Sequence, residues 1–192
     1  MKRRRFLIRA AAAIGGTALA AAGCTTTGPS TPQDKTARRH EIDSGADATL
    51  TRLYATRGAK ELSQRAQGIL IFPRVLSGGF VIGGEYGDGV LRAGGRTEGY
   101  YRLIGGSFGF LAGAQSQAVV LMFLTQEALD RFRKSNGWTV GADATISVAK
   151  LGATGEIDTN TAKQSIVGFA LTNAGLYAGL SLDGSKITRL DI

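Results

Sequence analysis

The glycine content in the middle of the chain restricts the fold more than any other feature of the sequence. Thirteen of the 36 residues from Gly78 to Gly113 are glycines. An α-helix over this segment would lose about 1 kcal/mol at each glycine relative to alanine. Extended strands joined by turns accommodate this composition better, so the segment is predicted to form β-strands.

Two features of this segment are predicted in more detail. In "FVIGGEYGDGVLR", residues 80–85 alternate as one strand, "YGDG" favours a turn, and residues 90–92 continue as the second strand of a hairpin. A further strand beginning at Gly105 presents Gly105, Ser107, Gly109, Leu111 and Gly113 on one face. Such a glycine face lets a neighbouring layer approach closely.

Helical periodicity is confined to two parts of the chain. Near the start of the predicted domain, with a break near Gly58, one helix face carries Leu50, Leu53, Tyr54, Leu62, Ala66 and Ile69. Thr125 is predicted to cap a short helix from Gln126 to about Lys134. Strand patterns follow in residues 138–148, "SIVGFALT", "LYAGLSLD" and "ITRLDI". We expect an α+β fold: a largely antiparallel, strongly curved β-sheet with an N-terminal helical segment and one short mid-chain helix.

Residues 1–23 have the pattern of an export signal peptide. "MKRRRFLIR" is basic, and the small and apolar run over residues 10–22 is too short to span a bilayer as a mature helix. The basic start fits both a twin-arginine signal and a Sec signal, so both export routes remain open.

Cys24, the only cysteine, follows Ala21-Ala22-Gly23. This order resembles a bacterial lipobox, in which the cysteine becomes the lipidated first residue of the mature protein. A diacylglycerol group with an additional acyl chain such as palmitate gives a stable anchor, because stable anchoring takes about two chains. Thr25 rather than Asp follows the cysteine, which favours the outer membrane. We predict a cell-envelope, outer-membrane lipoprotein facing the periplasm, with a flexible tether over residues 24–45 and one domain over residues 46–192.

Removal of the signal changes the charge balance. The whole chain has a net charge of +8, but residues 24–192 retain 18 Lys+Arg and 15 Asp+Glu, a net charge of +3. A strongly basic domain would indicate nucleic acid as a partner, whereas this mildly basic, exported domain does not.

The motifs that resemble catalytic or ligand-binding sites lack the other residues or the spacing that such sites require. Residues 105–109 match the G-x-S-x-G nucleophile elbow, but the only histidine, His40, precedes Ser107 and lies in the predicted tether. "GGEYGDG" fits neither dinucleotide-binding nor P-loop spacing, and its two acidic residues repel phosphate. The calcium-loop spacing is also absent around Glu85, Asp88 and Glu98. We therefore predict no catalytic residue, metal site or cofactor, and no enzyme.

Four basic residues lie beside apolar positions in and after the predicted helical start: Arg57, Lys60, Arg65 and Arg74. This mixture suits a lipid surface, since charge meets the headgroups and apolar side chains enter the interface. The same pattern also suits the solvated face of a helix that packs on a core, and composition alone leaves both interpretations open.

Three stretches together resemble the SYLF domain: "RAQGILIFPRVLSGGFVIGGEYGDGVL", "YYRLIGGSFGFLAGAQSQAVVLMFLTQEALDRFRKSNGWTVGADATISV" and "SIVGFALTNAGLYAGLSLDGSKITRL". The resemblance runs through nearly all of residues 46–192. It implies non-catalytic binding of phospholipids, including phosphoinositides, through a basic, amphipathic N-terminal part, and actin binding in fungal members. The matching part here is the helical start through Arg74, so the resemblance implies lipid contacts by Arg57, Lys60, Arg65 and Arg74.

Two functions are therefore expected from different classes. In the first, the domain binds an anionic bacterial phospholipid membrane. In the alternative, it is a structural or adaptor lipoprotein that binds another envelope protein, for example by strand addition at a glycine-faced sheet edge.

Overall fold

A computed structural model describes residues 31–79, 82–108, 113–149, 157, 163–173, 175–177 and 182–192. The predicted signal peptide, Cys24 and residues 25–30 of the predicted tether lie outside the described residues. So do Phe80, Val81 and residues 178–181, the middle of "LYAGLSLD".

Helix α1 spans Pro32–Leu53, which contradicts the prediction of a flexible tether as far as residue 45. Its start is defined by a capping box, in which Thr31 and Asp34 bond each other's backbone N–H groups, and by the proline that follows the cap. Its buried residues form one narrow stripe: Ile42, Ala46, Thr49 and Leu53. The tether prediction relied on a missing apolar period, and residues 32–45 bury only Ile42, too few to give one.

The short helix α2, Ala59–Arg65, begins after Gly58, whose φ of 83° lies in the left-handed region that favours glycine. The predicted break near Gly58 is confirmed. The helical pattern ends earlier than predicted, because Ile69 already belongs to the first strand.

In the part of the chain that the structure describes, nine strands form one sheet: β1 Gly68–Gly79, β2 Ile82–Ala93, β3 Arg96–Phe108, β4 Gly113–Phe123, β5 Trp138–Thr139, β6 Ser147–Val148, β7 Ile166–Thr172, β8 Gly175–Tyr177 and β9 Lys186–Leu190. Their order is β5-β9-β3-β2-β1-β4-β7-β6, and β8 pairs with β7. All these pairings are antiparallel except β6 with β7. The sheet is strongly curled, and the predicted α+β class is confirmed.

The predicted turn at "YGDG" is wrong, because these residues lie within the continuous strand β2. Strand β1 shifts register against β2 between Ile71 and Arg74, around Pro73, which cannot donate to the ladder. A Cβ at Gly89 would lie 2.4 Å from the Ile71 carbonyl oxygen, and one at Gly87 would lie 2.7 Å from the Arg74 carbonyl oxygen. These glycines therefore serve close packing against the irregular part of β1.

Two other predicted strands are divided. The strand predicted from Gly105 to Gly113 belongs to two elements, since β3 ends at Phe108 and β4 begins at Gly113. Of residues 138–148, only the ends form the short strands β5 and β6. Helix α3, Gln126–Lys134, has the predicted boundaries, and the Thr125 side chain accepts a hydrogen bond from the Ala128 N–H at 3.3 Å.

Each face of the sheet carries a hydrophobic cluster. The α3 face holds an aromatic group in which the Phe132 ring centroid lies 5.0, 5.1 and 5.5 Å from those of Tyr101, Phe123 and Trp138. The α1 face buries the α1 stripe against apolar side chains of the sheet: Ile71, Val90, Val120, Met122, Val167 and Phe169. Residues 31–192 form one compact unit that contains both clusters. None of the helices in the described ranges is both long and apolar enough to cross a membrane.

Candidate functional site

One part of the α1 face exposes a row of large apolar side chains. Leu76 of β1 is the register partner of Tyr86 of β2, and Tyr86 is the register partner of Ile104 of β3. Register partners project from the same face of a sheet, so the three side chains lie side by side. Their exposed fractions are 51, 42 and 52%. We call Leu76, Tyr86 and Ile104 the apolar row.

A row of glycines continues the same face towards the ends of these strands. Gly78, Gly84 and Gly106 are also register partners, and all three are exposed. A Cβ at Gly78 or Gly106 would meet no atom within 4 Å. Packing within the described part of the domain therefore does not require glycine here, unlike at Gly87 and Gly89.

Four basic side chains surround the apolar row. The exposed Arg74 lies two residues before Leu76 on β1, and the exposed Lys186 of β9 is the register partner of Ile104. Tyr86 is bracketed by the other two: the Arg102 guanidinium carbon lies 5.0 Å from its ring centroid, and Arg38 Nη2 of α1 donates to its hydroxyl oxygen at 3.3 Å. A cation over an aromatic face is attracted by the ring, so Tyr86 is held between two guanidinium groups.

Asp88 balances part of this positive charge. Its carboxylate accepts hydrogen bonds from Arg102 Nε, at 2.9 Å, and from Arg38 Nη2. Burial raises the pKa of Asp88, but the hydrogen bonds from Arg102 and Arg38 outweigh it and hold that pKa below its ordinary value. The side chain of Asp88 is 13% exposed, whereas those of Arg102 and Arg38 are 26 and 41% exposed.

A groove of about 930 Å³ runs between α1 and strands β1 and β2, with Leu76 and Tyr86 in its lining. Its charged lining residues are Arg38, Arg52, Arg74, Asp34, Glu41 and Asp88. Arg74 lies next to the apolar row, and α1 contributes side chains of both signs: Arg38, Arg52, Asp34 and Glu41. The groove is therefore mixed in charge, with positive charge next to its apolar part.

The structure does not gather the four sequence-predicted basic residues into one site. Arg74 lines the groove beside the apolar row. Arg57 and Lys60 line a separate concavity of about 510 Å³ before and within α2. Arg65 is exposed in the last turn of α2. Their lipid contacts remain predictions.

Sequence reasoning missed the apolar row and its partners Arg38 and Arg102. Arg38 fell within the predicted tether. The row itself becomes visible only when the registers of three strands are known, and the assumed turn at "YGDG" separated Tyr86 from its neighbours. The side-chain alternation along each strand could have shown that Leu76, Tyr86 and Ile104 point to one face of their strands. It does not reveal which face of the sheet remains uncovered.

The arrangement around Ser107 is that of a strand. Ser107 lies in β3 opposite Gly83, whereas a nucleophile elbow places its serine at a strand-to-helix turn. Within the described ranges, no group of three or more His, Cys, Asp or Glu side chains is placed to hold a metal ion.

Part of the chain is similar to a family of known proteins. Residues 104–191 match the family described as "Ysc84: Las17-binding protein actin regulator". The chain is 29% identical over 128 residues to the SH3 domain-containing YSC84-like protein 1 of Xenopus laevis, which is 64% of this chain and 38% of that relative. It is 27% identical over 135 residues to LAS seventeen-binding protein 3 of Saccharomyces cerevisiae (strain ATCC 204508 / S288c), 66% of this chain and 29% of that relative. The matched region thus spans about a third of the length of these relatives.

Proposed function

We propose that this chain, whose residues 104–191 match the Ysc84 family, is a non-catalytic binding protein whose domain contacts anionic phospholipid membranes. The family description names a binding protein and regulator, not an enzyme. One observation carries the proposal: an exposed apolar row lies among four basic side chains on the half of the α1 face that α1 leaves open.

The chemistry of this surface matches a membrane interface. Half-exposed leucine and isoleucine side chains can enter the boundary between headgroups and acyl chains, while Arg74 and Lys186 beside them meet phosphate groups. Tyr86 suits the same boundary, because it combines an apolar ring with a polar hydroxyl. The glycine row leaves the neighbouring sheet surface free of side chains, so a flat partner can approach it closely.

The proposal extends to the remaining predicted features. Lipidation at Cys24 anchors the chain in the outer membrane, facing the periplasm, and brings the domain to a phospholipid surface. Arg57, Lys60 and Arg65 form a second, peripheral set of contacts around α2. The lipid is an anionic bacterial phospholipid such as phosphatidylglycerol.

A second candidate function is that of an adaptor for another envelope protein. The name of the yeast relative, LAS seventeen-binding protein 3, states a protein partner, and this favours a protein-binding role. The same open surface serves both functions, since an apolar row beside a side-chain-free glycine row also suits a protein.

Vesicle binding by residues 31–192, the compact unit without Cys24, separates the two functions. The variant Arg74→Glu/Lys186→Glu is compared with Arg96→Glu/Lys134→Glu, which makes the same charge change at exposed positions away from the apolar row. The binding measured is co-sedimentation with vesicles of phosphatidylglycerol and phosphatidylethanolamine. We expect the first variant to bind at least about tenfold more weakly, since each charge near the surface is worth about 1 kcal/mol.

The control variant should lose much less affinity. Equal losses in the two variants would show a general charge effect and no localised site. Wild-type residues 31–192 that fail to bind these vesicles would contradict the proposal and leave the adaptor function.

A further inference from the structure

The first turns of α1 make polar contacts with the sheet and with the two residues that follow β9. Every described residue from Thr31 to Glu41 is exposed or half-buried, and Ile42 is the first buried side chain of the helix. Lys35 Nζ lies 3.8 Å from an oxygen of Asp191, Arg38 pairs with Asp88, and Arg39 Nε donates to the Ile192 carbonyl oxygen at 2.6 Å. The Lys35–Asp191 pair is partly exposed, and ion pairs of this kind are weak and are screened by salt.

The two arginines on Asp88 are held differently. Arg102 lies on β3 directly opposite Asp88 of β2, so the sheet fixes this pair. Arg38 reaches the carboxylate from the weakly attached start of α1, and its side chain is the more exposed of the two. When Arg38 leaves, Asp88 keeps its hydrogen bonds from Arg102 at 2.9 and 3.4 Å. The exposed Arg74 of β1 is the backbone register partner of Asp88.

We propose that Asp88 is a resident anion that occupies Arg38 in the unbound protein, and that the phosphodiester of an anionic phospholipid takes Arg38 from it. A guanidinium group binds carboxylate and phosphate oxygens with the same charge-assisted geometry, so the two anions compete directly. This inference rests on the proposed function, because it assigns a headgroup contact next to Tyr86 in the apolar row. Asp88 is then an internal competitor that weakens binding, and α1 is loosened when the lipid binds.

The test compares two variants of residues 31–192 that each remove one negative charge from the same groove. Asp88→Asn frees Arg38, whereas Glu41→Gln changes a lining carboxylate of α1 that makes none of the described ion pairs. Loss of one charge strengthens binding to phosphatidylglycerol vesicles by up to about fivefold in both variants. Release of Arg38 strengthens binding by Asp88→Asn at least about threefold further. Equal affinities of the two variants would overturn the inference.

Combining Arg38→Gln with Asp88→Asn tests whether Arg38 is the arginine that causes the further gain in vesicle binding. In the Arg38→Gln background, the further gain from Asp88→Asn should disappear, and its persistence would overturn the assignment. Thermal unfolding followed by circular dichroism shows which variants are folded. If Asp88→Asn does not fold, Arg38→Gln alone is compared with Arg96→Gln, and equal weakening of vesicle binding would contradict the inference.

Titration with inorganic phosphate separates this inference from the proposed function. If wild type and Asp88→Asn both fail to bind vesicles, the lipid proposal fails, but phosphate still tests the anion site. Tighter phosphate binding by Asp88→Asn than by Glu41→Gln supports competition between Asp88 and phosphate for Arg38. Equal phosphate binding by the two variants, when neither binds vesicles, overturns this inference.

Discussion

The two faces of the sheet are covered in different ways. On the α3 face, a short helix inserts Phe132 among three aromatic rings, and its apolar side chains are buried. On the α1 face, a much longer helix buries one narrow stripe, holds its first turns through polar contacts and leaves the apolar row open. The length of a helix therefore does not determine how much of the sheet face it covers. Both faces bury a hydrophobic cluster, but on the α1 face the apolar row remains exposed and is available for contact.

The largest expected effect is a loss of stability on the α3 face. Phe132→Ala should lower the free energy of unfolding by about 3–5 kcal/mol, because it leaves a cavity among Tyr101, Phe123 and Trp138. Leu76→Ala, on the open half of the other face, should change it by no more than about 0.5 kcal/mol. Urea unfolding measures both. A comparable loss in Leu76→Ala would mean that the apolar row belongs to the core.

The next effect separates the packed glycines from the open ones. Gly89→Ala should destabilise the domain by about 1–3 kcal/mol, because its Cβ collides with the Ile71 carbonyl and the Phe72 ring. Gly106→Ala, where a Cβ meets no atom within 4 Å, should be neutral or slightly stabilising. The urea midpoints of the two variants are compared. If Gly106→Ala lowers the midpoint as much as Gly89→Ala does, the distinction between packed and open glycines is wrong.

A smaller effect concerns which basic residues contact the membrane. Arg74→Glu should weaken vesicle binding by at least about tenfold, since it reverses a charge beside the apolar row. Lys60→Glu and Arg65→Glu on α2 should each weaken it less. All three losses should be larger at low salt, where screening is weaker. If the α2 variants lose more than Arg74→Glu, the contact lies at α2.

The smallest effect is a pH-dependent change of stability at Glu85. Burial raises the pKa of Glu85 above its ordinary value, while a hydrogen bond with Ser77 acts in the opposite direction. Within the described ranges, its Oε2 atom is buried without a hydrogen-bond partner. Because the folded state holds this proton more tightly than the unfolded chain, Glu85 reduces stability as pH rises through and above the ordinary glutamate pKa of 4.5.

Glu85→Gln should therefore raise the urea midpoint at pH 7, and this gain should vanish at pH 3, where the glutamate is protonated in both states. The exposed Glu61→Gln controls for the loss of one charge. A gain of equal size at both pH values would exclude titration of Glu85 as its cause.

Local patterns predicted the elements whose signals are local. The Thr125 cap defined α3, Gly58 marked the break between α1 and α2, and "SIVGFALT" contains β7. These predictions needed only capping, backbone freedom and apolar content over a few neighbouring residues.

The candidate site could not be predicted in the same way, because it depends on contacts between distant segments. The irregular pairing at Pro73 decides that Gly87 and Gly89 pack within a strand instead of forming a turn. Arg38 reaches Asp88 only because α1 folds back over the sheet, through contacts 50 residues apart in sequence. Of the predicted lipid contacts, only Arg74 lies beside the apolar row.

The central claim is that the apolar row on the α1 face contacts the membrane. The variant Leu76→Ser/Ile104→Ser tests this claim most directly. Each large apolar side chain contributes about 1.5–3 kcal/mol when fully buried, so partial insertion of two should be worth at least about tenfold in affinity. We predict that the variant keeps the wild-type urea midpoint and binds phosphatidylglycerol vesicles at least about tenfold more weakly than wild type. Unchanged vesicle binding by the folded variant would contradict the account.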